Sequence, residues 1–158
     1  MSSFAVLFEN YPELRECKTD ILAAFDVLAN CLANDGTIYL AGNGGSCADA
    51  DHISGELLKG FIKKRPISDA DRKLLCALDE EDGKLLADNL QYGLPAISLM
   101  HFPGVMSAVE NDIGGEFQVA QILLALGRPG DVLFGISTSG NAHNIALAAR
   151  VARLRGIK

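Results

Sequence analysis

Cysteine is sparse and scattered: Cys17, Cys31, Cys47 and Cys76 form no Cys-x-x-Cys pair, so neither a zinc knuckle nor a disulfide framework is expected. They read as reduced thiols, mostly filling the core. Basic residues are outnumbered, 14 Lys and Arg against 20 Asp and Glu, giving a formal net charge of -6. That balance argues against a surface that tracks nucleic-acid phosphates directly. The opening Met1-Ser-Ser-Phe-Ala-Val6 has neither a basic n-region nor a long apolar h-region, and no apolar run approaches bilayer length. A cytoplasmic protein without membrane contact is expected. What is present is 49% hydrophobic and 22% charged residues in a chain of 158. This suits one globular domain over residues 1–158 with its own core, and it excludes disorder and low complexity.

From Pro12 to about Asn34, Leu14, Cys17, Ile21, Phe25, Leu28 and Leu32 recur at steps of three and four, which predicts a long amphipathic helix. Its stripe packs either on its own domain or on a second subunit, and periodicity does not separate the two. Residues 1–36 are therefore read as an N-terminal helical segment. Thr37 to Ala41 then reads as a strand, Gly42-Asn-Gly-Gly-Ser46 as a turn, and Cys47 to Phe61 as a helix. Residues 62–93 form a charged, irregular segment, basic at Lys63-Lys-Arg65 and acidic at Asp79-Glu-Glu-Asp82, read as a solvated face. Within it, Ser68 with Asp71 three residues later approximates a capping box for a polar helix. Leu94–Leu99 predicts a second strand, Gly104–Leu126 one or two helices broken at 111–115, Asp131–Ile136 a buried strand, and Ala142 to about Arg155 a helix. Strands alternating with helices predict a parallel α/β sheet covered on both faces, with both glycine- and serine-rich turns on one rim.

Those two turns carry the first candidate chemistry. Asn43, Gly44, Gly45 and Ser46 let backbone approach an anion at a helix N-terminus. The loop is neither a Gly-x-Gly-x-x-Gly fingerprint nor a lysine-bearing P-loop, so a dinucleotide oxidoreductase is disfavoured. Ser137, Thr138, Ser139, Gly140 and Asn141 offer three consecutive hydroxyls at the second turn, suited to a phosphomonoester without a cation; as a bare N-cap they would need only Ser139 or Asn141. His52 and Glu56 share a helix face, placed to hold a metal, to work as a general base and its orienting partner, or to be a plain surface pair. Asn111 and Asp112 break a helical region, as sugar-hydroxyl ligands or as an Asx turn. His101 and His143 have no spacing partner and read as structural or solvent-facing.

Together, Ala41-Gly-Asn-Gly-Gly-Ser46, the Asp49–Glu56 helix, Glu110-Asn-Asp112 and Gly130–Asn141 resemble the sugar isomerase (SIS) domain, most of all its phosphoheptose isomerase branch. The resemblance runs in order along nearly the whole chain, apart from the segment from Lys63 to about Asp88. It implies a flavodoxin-like three-layer αβα sandwich with a parallel sheet, assembled as a homotetramer with sites at subunit interfaces. It also implies that Asn43, Gly44, Gly45, Asn111, Asp112, Ser137, Thr138 and Ser139 hold a phosphorylated sugar and that Glu56 is a catalytic acid–base. In zinc-containing members His52 and Glu56 would be metal ligands. The implied reaction is aldose–ketose isomerisation, sedoheptulose 7-phosphate to D-glycero-D-manno-heptose 7-phosphate. The rival is a non-catalytic SIS module that binds a phosphosugar or a protein as a regulator.

Two departures qualify the transfer. The family has a serine where this sequence has Ala142. Gly156-Ile-Lys158 reads as the lead-in to another strand, and the family continues through it to a C-terminal helix whose Gln and His complete the metal site and the catalytic pair. Relative to the family the chain is expected to be truncated, lacking its C-terminal strand and helix, with an incomplete zinc ligand set.

Overall fold

The computed structural model describes residues 3–158; Met1 and Ser2, part of the stretch read for a leader, lie outside the described residues. Along the chain run α1 (Ser3–Asn10), α2 (Lys18–Ala33), β1 (Ile38–Gly42), α3 (Gly45–Leu58), α4 (Asp69–Leu78), α5 (Glu80–Asn89), β2 (Ala96–Ser98), α6 (Pro103–Asp112), α7 (Gln118–Leu126), β3 (Val132–Ile136) and α8 (His143–Arg155). The strands form a parallel sheet in the order β2-β1-β3, with Ile38 opposite Ala96 on one side and Val132 on the other.

All five residues of β1 are buried, as a central strand with helices on both faces requires. Strand alternation sends Tyr39 and Ala41 into one core with Leu99, Val119, Ile122, Leu123 and Ala148, under α7 and α8. Ile38 and Leu40 enter a second core with Cys31, Ala50 and Ala96, under α2 and α3. The result is the expected three-layer αβα sandwich. Glycine sets how closely the layers approach: a Cβ on Gly42 would lie 2.5 Å from the Ser46 carbonyl oxygen, and one on Gly135 would lie 2.6 Å from Ile145 Cγ2. Buried Asp131 ties the lower end by accepting the Thr37 and Arg128 backbone N–H groups at 2.8 and 2.7 Å.

Several expectations are corrected. The single helix read from Pro12 is a 3-10 turn, Pro12–Cys17, followed by α2, and α1 precedes both. Asn111 and Asp112 do not break a helix but close the last turn of α6; the break falls at Ile113 and Gly114, whose φ of 116° no side-chain-bearing residue adopts readily. β3 is less buried than read, with Leu133, Phe134 and Ile136 only half covered. The strand lead-in at the end of the chain does pair with β3: Leu133 N–H donates to the Lys158 carbonyl at 2.8 Å and Lys158 N–H to that of Asp131 at 2.9 Å.

The charged segment is more regular than its sequence suggests. Ser68 caps α4 by accepting the Asp71 N–H at 3.1 Å, and Asp79 caps α5 by accepting that of Asp82 at 2.7 Å. Arg65 ties the base of this helical pair to the sandwich, donating to the Leu57 and Tyr92 carbonyls at 2.8 Å each. A Cβ on Gly83 would lie 2.2 Å from the Leu75 carbonyl, so α4 and α5 cross where only glycine fits. Among the four cysteines, all free thiols, only Cys31 is buried; Cys17, Cys47 and Cys76 are half-buried, which corrects the expectation that most fill the core. No helix among the described residues is long and apolar enough to cross a membrane.

Candidate functional site

β1 and β3 lie side by side and both turn into helices at their carboxyl ends, so their two turns meet on one rim. Gly44, at φ 55°, turns the chain into α3, and Gly140, at φ 70°, lies in the turn that precedes α8. Between the turns is a cleft of about 110 Å³ lined by Asn43, Ser46, Ile136, Ser137, Thr138, Ser139 and Ala142. No lysine or arginine lines it. Its polarity comes from hydroxyls, the Asn43 carboxamide and the N-termini of two long helices, an arrangement that favours an anion without a cationic side chain. Within the second turn, Gly140 N–H donates to the Ser137 carbonyl and Asn141 N–H to Ser139 Oγ, both at 3.2 Å. The cap of α8 is Ala142, which has no side chain to offer, so neither Ser139 nor Asn141 acts as its N-cap.

The two halves are also joined by side chains. Asn43 Nδ2 donates to Asn144 Oδ1 at 2.9 Å, and Asn144 Nδ2 donates back to Asn43 Oδ1 at 2.8 Å, across 101 residues of sequence.

His52 and Glu56 stand on the outer face of α3, Nε2 to Oε1 3.7 Å, with side chains 77% and 46% exposed. They supply two donors, whereas a zinc site takes at least three protein ligands. No group of three or more His, Cys, Asp or Glu among the described residues is placed to hold a metal. The described residues therefore do not by themselves fit zinc. Asn111 and Asp112 do not reach the cleft either. Asn111 Nδ2 donates to Asp112 Oδ1 at 2.8 Å, and Asp112 lines a separate, open depression on α6 and α7 with Val105, Ala108 and Gln121.

His101 and His143, expected to be structural or solvent-facing, are both exposed, yet each has a carboxylate partner. His143 Nδ1 is 3.7 Å from Glu116 Oε2, and His101 Nε2 is 2.9 Å from Asp51 Oδ1. Asp51 also accepts Ser98 Oγ, and its other oxygen lies 4.0 Å from Cys47 Sγ. Burial, and then the Asp51 charge, push the Cys47 thiol up. Asp51, Ser98 and Asn144 carry no signal in the sequence, because each is an ordinary polar residue whose partner lies on a different βα unit.

The family described as the SIS domain matches residues 9–84. Phosphoheptose isomerase of Leptospira biflexa is 38% identical over 139 residues, 88% of this chain and 59% of that protein. The enzyme of Helicobacter hepaticus is 35% identical over 84% of this chain and 55% of its own length. The solved structure of phosphoheptose isomerase from Neisseria gonorrhoeae superposes with a TM-score of 0.64 at 30% identity, covering 98% of this chain and 69% of that one. The chain belongs to the SIS-domain family, in its phosphoheptose isomerase branch. The Francisella tularensis phosphoheptose isomerase structure agrees, with a TM-score of 0.67 at 26% identity over 100% of this chain and 73% of its own. The SIS chain spans somewhat over half the length of the curated relatives it matches.

Proposed function

We propose that this chain binds a phosphorylated sugar and takes part in aldose–ketose isomerisation, with sedoheptulose 7-phosphate and D-glycero-D-manno-heptose 7-phosphate as the pair. One observation carries the reading: the Asn43–Ser46 and Ser137–Ser139 turns converge on a single small cleft walled by hydroxyls and two helix N-termini. That is the chemistry a phosphomonoester needs. The phosphate would sit against Ser137, Thr138 and Ser139, with Gly44 and Gly45 leaving open space for the sugar, since a Cβ at either would touch nothing within 4 Å. Isomerisation removes a proton from C1 of the ketose and returns one at C2 through an enediol. Glu56 is the carboxylate assigned to one of these transfers, with His52 as its neighbour on α3, and such proton transfer contributes about 10² to 10⁴ in rate.

A second reading, a non-catalytic SIS module, is favoured by the surroundings of Glu56. Among the described residues its one ion pair is with His52, and its side chain is 46% exposed. The two readings part on turnover. Sedoheptulose 7-phosphate in deuterated water, followed by NMR with and without zinc, is expected to show solvent deuterium at C1 of the ketose or at C2 of the aldose product. Glu56→Gln is expected to abolish the exchange and keep binding. Binding without exchange in the parent chain selects the regulatory module, and absence of binding sinks both.

Assembly and location belong to the same proposal. A homotetramer is supported by apolar side chains left exposed on the N-terminal helices, Val6, Phe25 and Val27 among them. Four free thiols support a reducing cytoplasm, and the net charge of -6 argues against a nucleic-acid partner.

A further inference from the structure

Asn144 has no capping duty in its own helix. Asn144 is the second residue of α8, where a side chain does not cap, and among the described residues both hydrogen bonds of its carboxamide go to Asn43. A carboxamide carries one carbonyl acceptor and two N–H donors. In the pair each carboxamide uses its carbonyl and one N–H. Turning one over alone would set N–H against N–H and oxygen against oxygen, so the two orientations are locked to each other.

We propose that Asn144 is a positioning residue: it holds the Asn43 carboxamide in one fixed orientation at the wall of the cleft. This rests on the phosphosugar reading above and gives that ligand a polar group held in place before it arrives. The second N–H of the Asn43 carboxamide, which the pair does not use, can donate to a phosphate or sugar oxygen. The pair also bridges the turn before α3 and the first turn of α8, which fixes the spacing of the two cleft walls before ligand arrives. Donors already oriented lose less freedom on binding.

The test is titration with sedoheptulose 7-phosphate and, separately, inorganic phosphate, followed by NMR at the Asn43 side-chain NH₂ and the backbone amides of residues 137–140. Asn144→Ala is expected to weaken binding about 3- to 10-fold, the scale of one oriented hydrogen bond. Asn144→Asp, which adds a negative charge beside the cleft, is expected to weaken it further. On an Asn43→Ala background, Asn144→Ala is expected to change nothing more, an outcome that a general structural role would not produce. Unchanged affinity in Asn144→Ala, or an equal loss on the Asn43→Ala background, overturns the positioning role. Scalar coupling across the Asn43–Asn144 hydrogen bonds in the parent chain needs no variant, and its absence also overturns the role. A parent chain that binds neither probe overturns the phosphosugar reading itself, and this inference with it.

Discussion

Asp51 on α3 holds His101, just beyond β2, through a 2.9 Å contact between Oδ1 and Nε2, and the same oxygen accepts the hydroxyl of buried Ser98. One carboxylate thus fastens the end of β2 to the helix that follows β1. Truncation by Asp51→Ala strands a buried hydroxyl, and an unsatisfied buried polar group costs about 1–3 kcal/mol. Urea unfolding should register a loss of that size for Asp51→Ala and a smaller one for Asp51→Asn, which keeps an acceptor. Equal stability of all three proteins would show that Ser98 finds another partner.

The same carboxylate acts on Cys47. Burial is the larger cause of its raised thiol and the Asp51 charge the smaller, so Asp51→Asn should release only part of the shift. The thiolate is the nucleophile, so iodoacetamide alkylation of Cys47 at neutral pH should rise about two- to fivefold in Asp51→Asn. Peptide mapping separates it from Cys17 and Cys76. An unchanged rate would leave burial as the whole cause.

How much of this was legible in the sequence follows from how far apart the partners lie. β1 and its turn were readable because the pattern changes abruptly at Gly42, from β-branched and aromatic residues to glycine, and the backbone there has one steric solution. The Ser137–Asn141 turn was readable for the same reason. Of α4 only the start was readable, from its Ser68 cap, and α5 was not, since their apolar positions are mostly exposed, among them Leu74 and Leu78, and their order comes from caps, Gly83 and the Arg65 tether. The loops of the site were local signals. Its braces, Asn43 with Asn144 and Asp51 with His101, exist only once βα units stand side by side.

Alkaline pH should expose the thiol and phenol of the core. Burial, and then the charge of Asp131, push both Cys31 and Tyr39 up from their ordinary values. With folded values above unfolded ones, the unfolded chain releases its protons first as pH rises. The stabilisation is complete below the unfolded thiol value of about 8.5 and is lost from there upward as each folded value is approached. Melting temperature should therefore fall progressively above about pH 8.5. Cys31→Ala, although less stable overall, should show a shallower decline, and parallel declines would exclude Cys31 as a contributor.

Ala142 gives the most direct handle on the cleft. It lines the wall beside Ser137–Ser139 and occupies the N-cap of α8 without any side-chain hydrogen bond. Ala142→Ser supplies a hydroxyl that can accept from the first-turn N–H groups, a cap worth about 0.5–2 kcal/mol. The free chain should therefore melt at a higher temperature. With phosphate bound, the same hydroxyl becomes a donor to a ligand oxygen, so affinity for inorganic phosphate and sedoheptulose 7-phosphate should rise about 2- to 10-fold. The two effects compete for one hydroxyl. A variant that gains stability and loses affinity would mean that the cap holds the serine away from the ligand; a gain in both would place the phosphate over the N-terminus of α8.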